Sequence, residues 1–209
     1  MNQFLAVWRN LWRSFALFYD EFILSLGLSI LQSLAMLTVV LAPPVSAGLN
    51  NVANRMAHEQ RVSFADFWDG MRQHFWRSYL VLGSWAVLMA VLLFNVQFYF
   101  LYTQNVIRYV SFLWFSLALI WLSILPYLLP LMLETEPPAL LTIYRNALIL
   151  AFSLPLYTFF LLIQLLLLAI LVRYLFFVFF LFAPAVVALM GNLGVRYLIE
   201  QTLAGGKSA

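Results

Sequence analysis

The sequence predicts an all-α fold: a polytopic transmembrane helical bundle of about five spans, with an amphipathic helix at its N-terminus and another before the second span. Three observations predict it. Of 209 residues, 65% are hydrophobic and 9% charged, where an average soluble domain carries roughly 25% charge. The mean hydropathy is +0.96, and a water-soluble fold of this size exposes too much surface to hide so many apolar side chains. Apolar stretches of about 20 residues, the length that crosses a hydrocarbon core, recur along the chain. A soluble enzyme, a nucleic-acid-binding domain and a disordered tail are excluded as descriptions of the whole. The chain reads as one integral membrane domain, 1–209.

In residues 1–21, Phe4, Trp8, Leu11, Trp12, Phe15, Phe18 and Tyr19 follow an i, i+3, i+4 pattern that continues to Phe22, with Asn10, Arg13 and Ser14 off the stripe. This is an amphipathic helix, either lying in the membrane interface or packed on protein as an extension of the first span. Residues 22–42 are long enough for that first span, with Gln32 as its most polar member. Arg9 and Arg13 before it and Val45-Ser46-Ala47 after it imitate a signal peptide. Its 21 residues exceed a signal core of roughly 7–15, and Asp20-Glu21 stand at its start, so it reads as a retained anchor.

Pro43-Pro44 ends or kinks the first span, because proline lacks the backbone donor and restricts its predecessor. Residues 43–77 form the one substantial polar connection. Within it Val45 to Ala57 restarts as a helix, and Ser63 with Asp66 makes a capping-box variant. Phe64, Phe67, Trp68, Met71, Phe75 and Tyr79 then share a face opposite Asp66, Asp69, Arg72 and Gln73. Asp69 and Arg72 are spaced to pair. This helix is expected to run unbroken into the second span, 78–102. The third, 109–133, holds Pro126 and Pro130, and Glu134, Glu136 and Pro137-Pro138 follow it. Such prolines kink a membrane helix and free backbone carbonyls for other partners. Ala147 to Met190 contains one charge, Arg173. A straight helix of that length would run about 66 Å, so the chain turns near Arg173, giving a fourth span (147–170, kinked at Pro155), a fifth (174–195, kinked at Pro184) and a tail, 196–209.

Five spans would put Arg9, Arg13, Arg108 and Arg173 on one side. Arg55, Arg61, Arg72, Arg77, Arg145, Arg196 and Lys207 would lie on the other, which the positive-inside rule places in the cytoplasm. Residues 42–55 match residues 183–196 at six of fourteen positions, including Asn51 with Asn192 and Arg55 with Arg196. A repeat would require parallel first and fifth spans; chance similarity in apolar sequence is the alternative.

The net charge of +3 and pI near 9.3 come from scattered arginines, which suit topology and anionic lipid better than nucleic acid. With no Cys there is neither disulfide nor thiolate chemistry. His58-Glu59 and His74 are the candidates for metal or proton work, but the helical zinc-protease pattern needs a second His where Val62 stands. Gly191-Asn192-Leu193-Gly194 fits helix packing rather than a phosphate loop. Asn95, Gln97, Gln164 and Gln32 are uncharged polar groups suited to joining helices. No catalytic, cofactor-binding or metal-binding set emerges, and no cofactor is expected. Arg55, Arg61, Arg72 and Arg77 are the expected lipid or partner contacts, with Phe67, Trp68 and Trp76 as interface anchors.

The run from Pro43-Pro44-Val45-Ser46-Ala47-Gly48-Leu49 through Arg55, Val62-Ser63-Phe64-Ala65-Asp66-Phe67-Trp68, Arg72, Phe75, Trp76 and Ser78 resembles the YesL-like family of bacterial multi-pass membrane proteins. The likeness covers roughly Phe22 to Phe100 in pattern and the remainder in hydropathy alone. His58-Glu59-Gln60-Arg61 stands where the family's connecting turn commonly has Gly-Glu. The resemblance implies a five- or six-span protein of the cell membrane, in the loose context of carbohydrate uptake, and brings no catalytic residues. The expectation is a non-enzymatic accessory or regulatory membrane subunit, meeting lipid and either a transporter subunit or a second copy of itself. The alternative is a small autonomous transporter or channel for a neutral solute.

Overall fold

A computed structural model describes residues 3–38, 40–102, 108–134 and 139–206, less the side chains of 102, 177–179 and 204–206. The described residues form ten helices and no strand: α1 Gln3–Asp20, α2 Phe22–Thr38, α3 Ala42–Ala57, α4 Phe64–Gln73, α5 Phe75–Tyr102, α6 Val110–Ser123, α7 Leu125–Glu134, α8 Leu140–Ser153, α9 Pro155–Tyr174 and α10 Phe176–Gly206. Four stretches have the length and composition to cross a membrane: Phe75–Leu101, Val110–Glu134, Pro155–Tyr174 and Phe180–Leu203. A fifth exists only if α1 and α2, which meet at 102°, count as one bent span. The protein is a multi-pass helical membrane protein. Its surface agrees: on α1 the polar Asn10 and Ser14 are buried while Trp12 is 70% exposed, the reverse of a water-soluble helix. Except for Phe18, which is buried against Phe182, the aromatic stripe thus faces outward, and the off-stripe polar positions pack on protein.

Several expected boundaries move. The first span does not reach residue 42, because α2 stops at Thr38 after 17 residues. The fourth does not run through Pro155: Leu154 caps α8, and Pro155 opens α9, as a residue without an N–H favours. The turn near Arg173 is found at Leu175. The residues after it form one helix to Gly206, so the expected tail is largely helical. α4 is capped at His74, yet helical bonding continues across the junction, from His74 N–H to the Gly70 carbonyl (3.1 Å) and from Ser78 N–H to the His74 carbonyl (2.9 Å). Residues 104–107 of the turn expected between the second and third spans, Glu136, Pro137-Pro138 and Lys207 lie outside the described residues.

The prolines account for much of the packing. A proline cannot donate to the carbonyl four residues before it, and in a bilayer that carbonyl needs another partner. Pro184 frees the Phe180 carbonyl, which accepts the Ser33 hydroxyl at 2.9 Å. Pro155 frees the Ala151 carbonyl, which accepts the Thr158 hydroxyl at 3.0 Å. Pro44 frees the Val40 carbonyl, which accepts the Tyr79 hydroxyl. Pro130 frees the Pro126 carbonyl, which lies so close to Gly191 that a Cβ there would stand 2.6 Å from it. Pro126 itself lies in the first turn of α7, just after the α6–α7 break at Ile124.

These contacts also fix chain directions. Ser33 meets Phe180 and Ser29 meets Ala185, so α2 runs antiparallel to α10. This overturns the parallel arrangement of first and fifth spans that a repeat requires. Gln32 donates to Ser46 at 2.7 Å, making α2 and α3 a hairpin. α3 therefore runs parallel to α10, meeting it where Asn192 donates to the Asn50 side chain at 3.1 Å. The two similar segments do pack side by side, but through Asn50 rather than the aligned Asn51. Asn51 instead donates to the Asp66 carbonyl at 2.8 Å, where α3 and α4 touch through Gly48 and Gly70; a Cβ on Gly70 would stand 2.4 Å from that of Asn51.

α10 is the central helix, packed against α1, α2, α3, α7, α8 and α9, and 67% of its span is buried against 11% for α5. α5 and α6 form the hairpin that stands furthest out. Trp85 and Trp121 hold it, each indole N–H donating to the other's backbone carbonyl at 3.0 Å.

Candidate functional site

The charged residues gather at one end of the bundle. α3 ends there in a Schellman turn: Glu59 N–H bonds the Met56 carbonyl and Gln60 N–H the Arg55 carbonyl, both at 3.0 Å. That turn requires a left-handed residue, and Glu59 takes the position with φ of 59°, where glycine is usual. Its carboxylate then accepts Arg13 of α1 at 2.7 Å. The neighbouring His58 reaches α7, with Nε2 3.6 Å from Glu134, while Asn54 donates to the same carboxylate oxygen at 2.6 Å. His58 Nδ1 lies 2.9 Å from the Asn54 carbonyl, an acceptor only, so Nδ1 carries the proton. Arg55 pairs with Asp66, which also accepts the Ser63 N–H (2.7 Å) and hydroxyl (2.9 Å), the reciprocal half of the predicted capping box. Arg196 caps α3 at the Ala57 carbonyl.

Solvent-facing pairs of this kind contribute at most about 1 kcal/mol each, so their value lies in register more than stability. They bring α1, the α3–α4 turn, the end of α7 and the last third of α10 to one level. A hydrocarbon core is about 30 Å thick; Arg13 and Glu59, 2.7 Å apart, cannot stand on opposite sides of it. The five-span division of the arginines is therefore wrong. Asn10 of α1 donates to Tyr157 at 2.8 Å, so α9 starts at this end and Arg173 lies about 24 Å further along it. Arg108 sits 4.2 Å over the Phe100 ring, near the far end of α5. Arg9, Arg13, Arg55, Arg61 and Arg196 share the near end, whereas α4 and the start of α5 run back along α3, so that Arg77, two residues before the Tyr79 that meets Val40, stands toward the α2–α3 turn. Arg145 lies beside Tyr144, which donates to the Val81 carbonyl at 2.8 Å, nearly two turns inside α5 and past the level of the α2–α3 turn.

The expected contact residues divide. Arg55 pairs with Asp66 and remains half-exposed. Phe67 is fully buried against Gly48 and is no interface anchor. Arg61, Trp68, Arg72, Trp76 and Arg77 are exposed. Asp69 and Arg72 form no ion pair among the described residues. His74 is buried at the α4–α5 junction, away from the His58 cluster. Burial, and then the Arg77 charge, lowers its pKa below the usual 6.5. Among the described residues no three His, Cys, Asp or Glu side chains converge as metal ligands. The cavity between α2, α3 and α10, lined by residues such as Leu28, Val52 and Leu189, is about 10 Å³, room for a single water at most. Sequence reasoning named His58 and Glu134 separately and did not join them; with Asn54 and Glu134 80 residues apart, only the fold does so.

No family model, curated protein or solved structure matches the chain.

Proposed function

We propose that the protein is a non-enzymatic accessory or regulatory subunit of the bacterial cytoplasmic membrane, working beside another membrane protein. The observation that carries this reading is the α5–α6 hairpin, whose outer side is bare. Gly83 has nothing within 4 Å of where a Cβ would stand, and Ala86, Val87 and Ala90 next to it are exposed. Small residues are how membrane helices admit a neighbouring helix closely, since lipid gives no hydrophobic drive to associate. The tight cavity between α2, α3 and α10 supports this reading over a solute route through that interface. The YesL-like pattern of residues 43–78 makes a carbohydrate uptake system the first companion to look for. The end that gathers Arg9, Arg13, Arg55, Arg61 and Arg196 lies in the cytoplasm under the positive-inside rule.

Purification of the tagged protein from its native membrane in mild detergent, with mass spectrometry of what accompanies it, tests the proposal. A stoichiometric membrane-protein companion is expected, and Gly83→Phe, which fills open space, is expected to remove it while the protein stays folded. A homogeneous protein with no companion that drives solute flux in liposomes would replace this reading with the autonomous transporter.

A further inference from the structure

The α4–α5 corner has two distinct sides. Phe67, Gly70, His74, Ser78 and Val81 make an unbroken buried stripe across the junction, possible because helical bonding persists through His74. On the outer side, four residues apart, stand Trp68, Arg72, Trp76 and Leu80; the two indoles are 45% and 76% exposed and Leu80 60%. Arg77 is exposed beside Trp76. Neither Arg72 nor Arg77 has an ion-pair partner among the described residues, in contrast to Arg13, Arg55 and Arg196. Phe75 opens a span candidate, so Trp76 and Arg77 stand in the first turn of a crossing helix, the depth of lipid headgroups. Below them the outer row turns apolar through Leu80, Val87, Leu88 and Val91.

We infer that this corner binds an anionic phospholipid. Its phosphate sits at the Arg72 and Arg77 guanidinium groups, the Trp76 indole lies at the glycerol level, Trp68 flanks the headgroup on the outer side, and an acyl chain follows the apolar row. Charge complementarity selects an anionic headgroup. The continuation of the guanidinium end into an outward apolar row selects a lipid over dissolved phosphate, which would use only the charged end. Exposed Asp69 is the opposing charge in the site, and it tunes affinity downward.

Detergent-solubilised protein titrated with phosphatidylglycerol, phosphatidylcholine or inorganic phosphate, read by native mass spectrometry and by the thermal unfolding midpoint, tests this. Phosphatidylglycerol is expected to give a retained adduct and a raised midpoint, and the other two neither. Arg72→Gln and Arg77→Gln are each expected to weaken phosphatidylglycerol binding roughly fivefold, Asp69→Asn to strengthen it, and Arg145→Gln to leave it unchanged. Because the arginines face outward, the lipid-free midpoint of the Gln variants should match the parent. Lysine at both positions is expected to restore most of the binding. Equal binding of the two lipids, full binding by the folded double Gln variant, or a phosphate effect as large as that of the lipid would each overturn the inference. So would a companion protein lost on the same two substitutions with no preference between lipids.

Discussion

The Ser33 hydroxyl of α2 donates at 2.9 Å to the Phe180 carbonyl of α10, the one carbonyl that Pro184 leaves without a helical donor. The adjoining Ala185 N–H donates to Ser29 at 3.3 Å, so two serines one turn apart mend a single proline break. The break thereby selects the neighbour of α10 and the direction in which that neighbour runs. This relationship makes a coupled prediction. Ser33→Ala alone is expected to destabilise the bundle by roughly 0.6–1.7 kcal/mol, the range for hydrogen bonds between membrane helices. In a Pro184→Ala background, where residue 184 supplies its own N–H, the same change should cost close to nothing. Unfolding in mixed micelles for the four members of the cycle measures this, and additive effects would refute the coupling.

Two glycines should respond in opposite ways. Gly191→Ala puts a Cβ 2.6 Å from the Pro126 carbonyl, backbone against backbone, and is expected to cost roughly 1–3 kcal/mol as α7 is pushed away. Gly83→Ala meets nothing within 4 Å and is expected to stabilise the isolated protein by roughly 0.5–1 kcal/mol, the helix preference for alanine over glycine. The thermal midpoints of both variants decide it.

Acid should loosen the α4–α5 junction. His74 has its pKa lowered by burial and by Arg77, so the folded state holds it neutral while the unfolded chain protonates first, near the ordinary histidine value of 6.5. Its contribution is complete above that pH and is lost as the pH falls below it, through the folded-state pKa. A stability profile that declines below pH 6.5 in the parent and flattens in His74→Gln is the expected result. An unchanged decline in the variant would assign it to other groups.

Glu59 holds a left-handed position for the sake of its side chain. Glu59→Gly relieves the backbone but releases Arg13, whereas Glu59→Ala loses the ion pair and keeps the strain. The alanine variant is therefore expected to be the less stable of the two, by about 1 kcal/mol. Equal stabilities would show that the φ of 59° carries no penalty here.

Helix content, the membrane setting and the turn near Arg173 are legible in the sequence because hydropathy and charge are local properties. The prolines are legible as breaks, and so is the release of carbonyls, but not which hydroxyl fills each. Ser33 and Phe180 are 147 residues apart, and nothing local marks their meeting. The first span departs from expectation for a physical reason. Counting apolar residues carries it to Ala42, whereas the Pro43-Pro44 pair ends α2 at Thr38 and starts α3, whose small residues let it fold back beside α10. The candidate site is half legible: the exposed Trp68, Arg72, Trp76 and Arg77 follow from helical spacing, while the engagement of Arg55 by Asp66 follows only from the α3–α4 packing through Gly48 and Gly70.

One measurement tests the one-sided architecture on which both the lipid site and the docking face depend. The chain contains no cysteine, so single cysteines at Trp12, Gln60, Tyr174 and Gln201, all exposed, can be labelled in intact bacterial cells with a membrane-impermeant maleimide. The account predicts that Tyr174→Cys alone is labelled from outside, and that Trp12→Cys, Gln60→Cys and Gln201→Cys react only after the cells are permeabilised. Labelling of Trp12→Cys from the side opposite Gln60→Cys would contradict it, because Arg13 and Glu59 could then not form the pair that joins α1 to the α3–α4 turn.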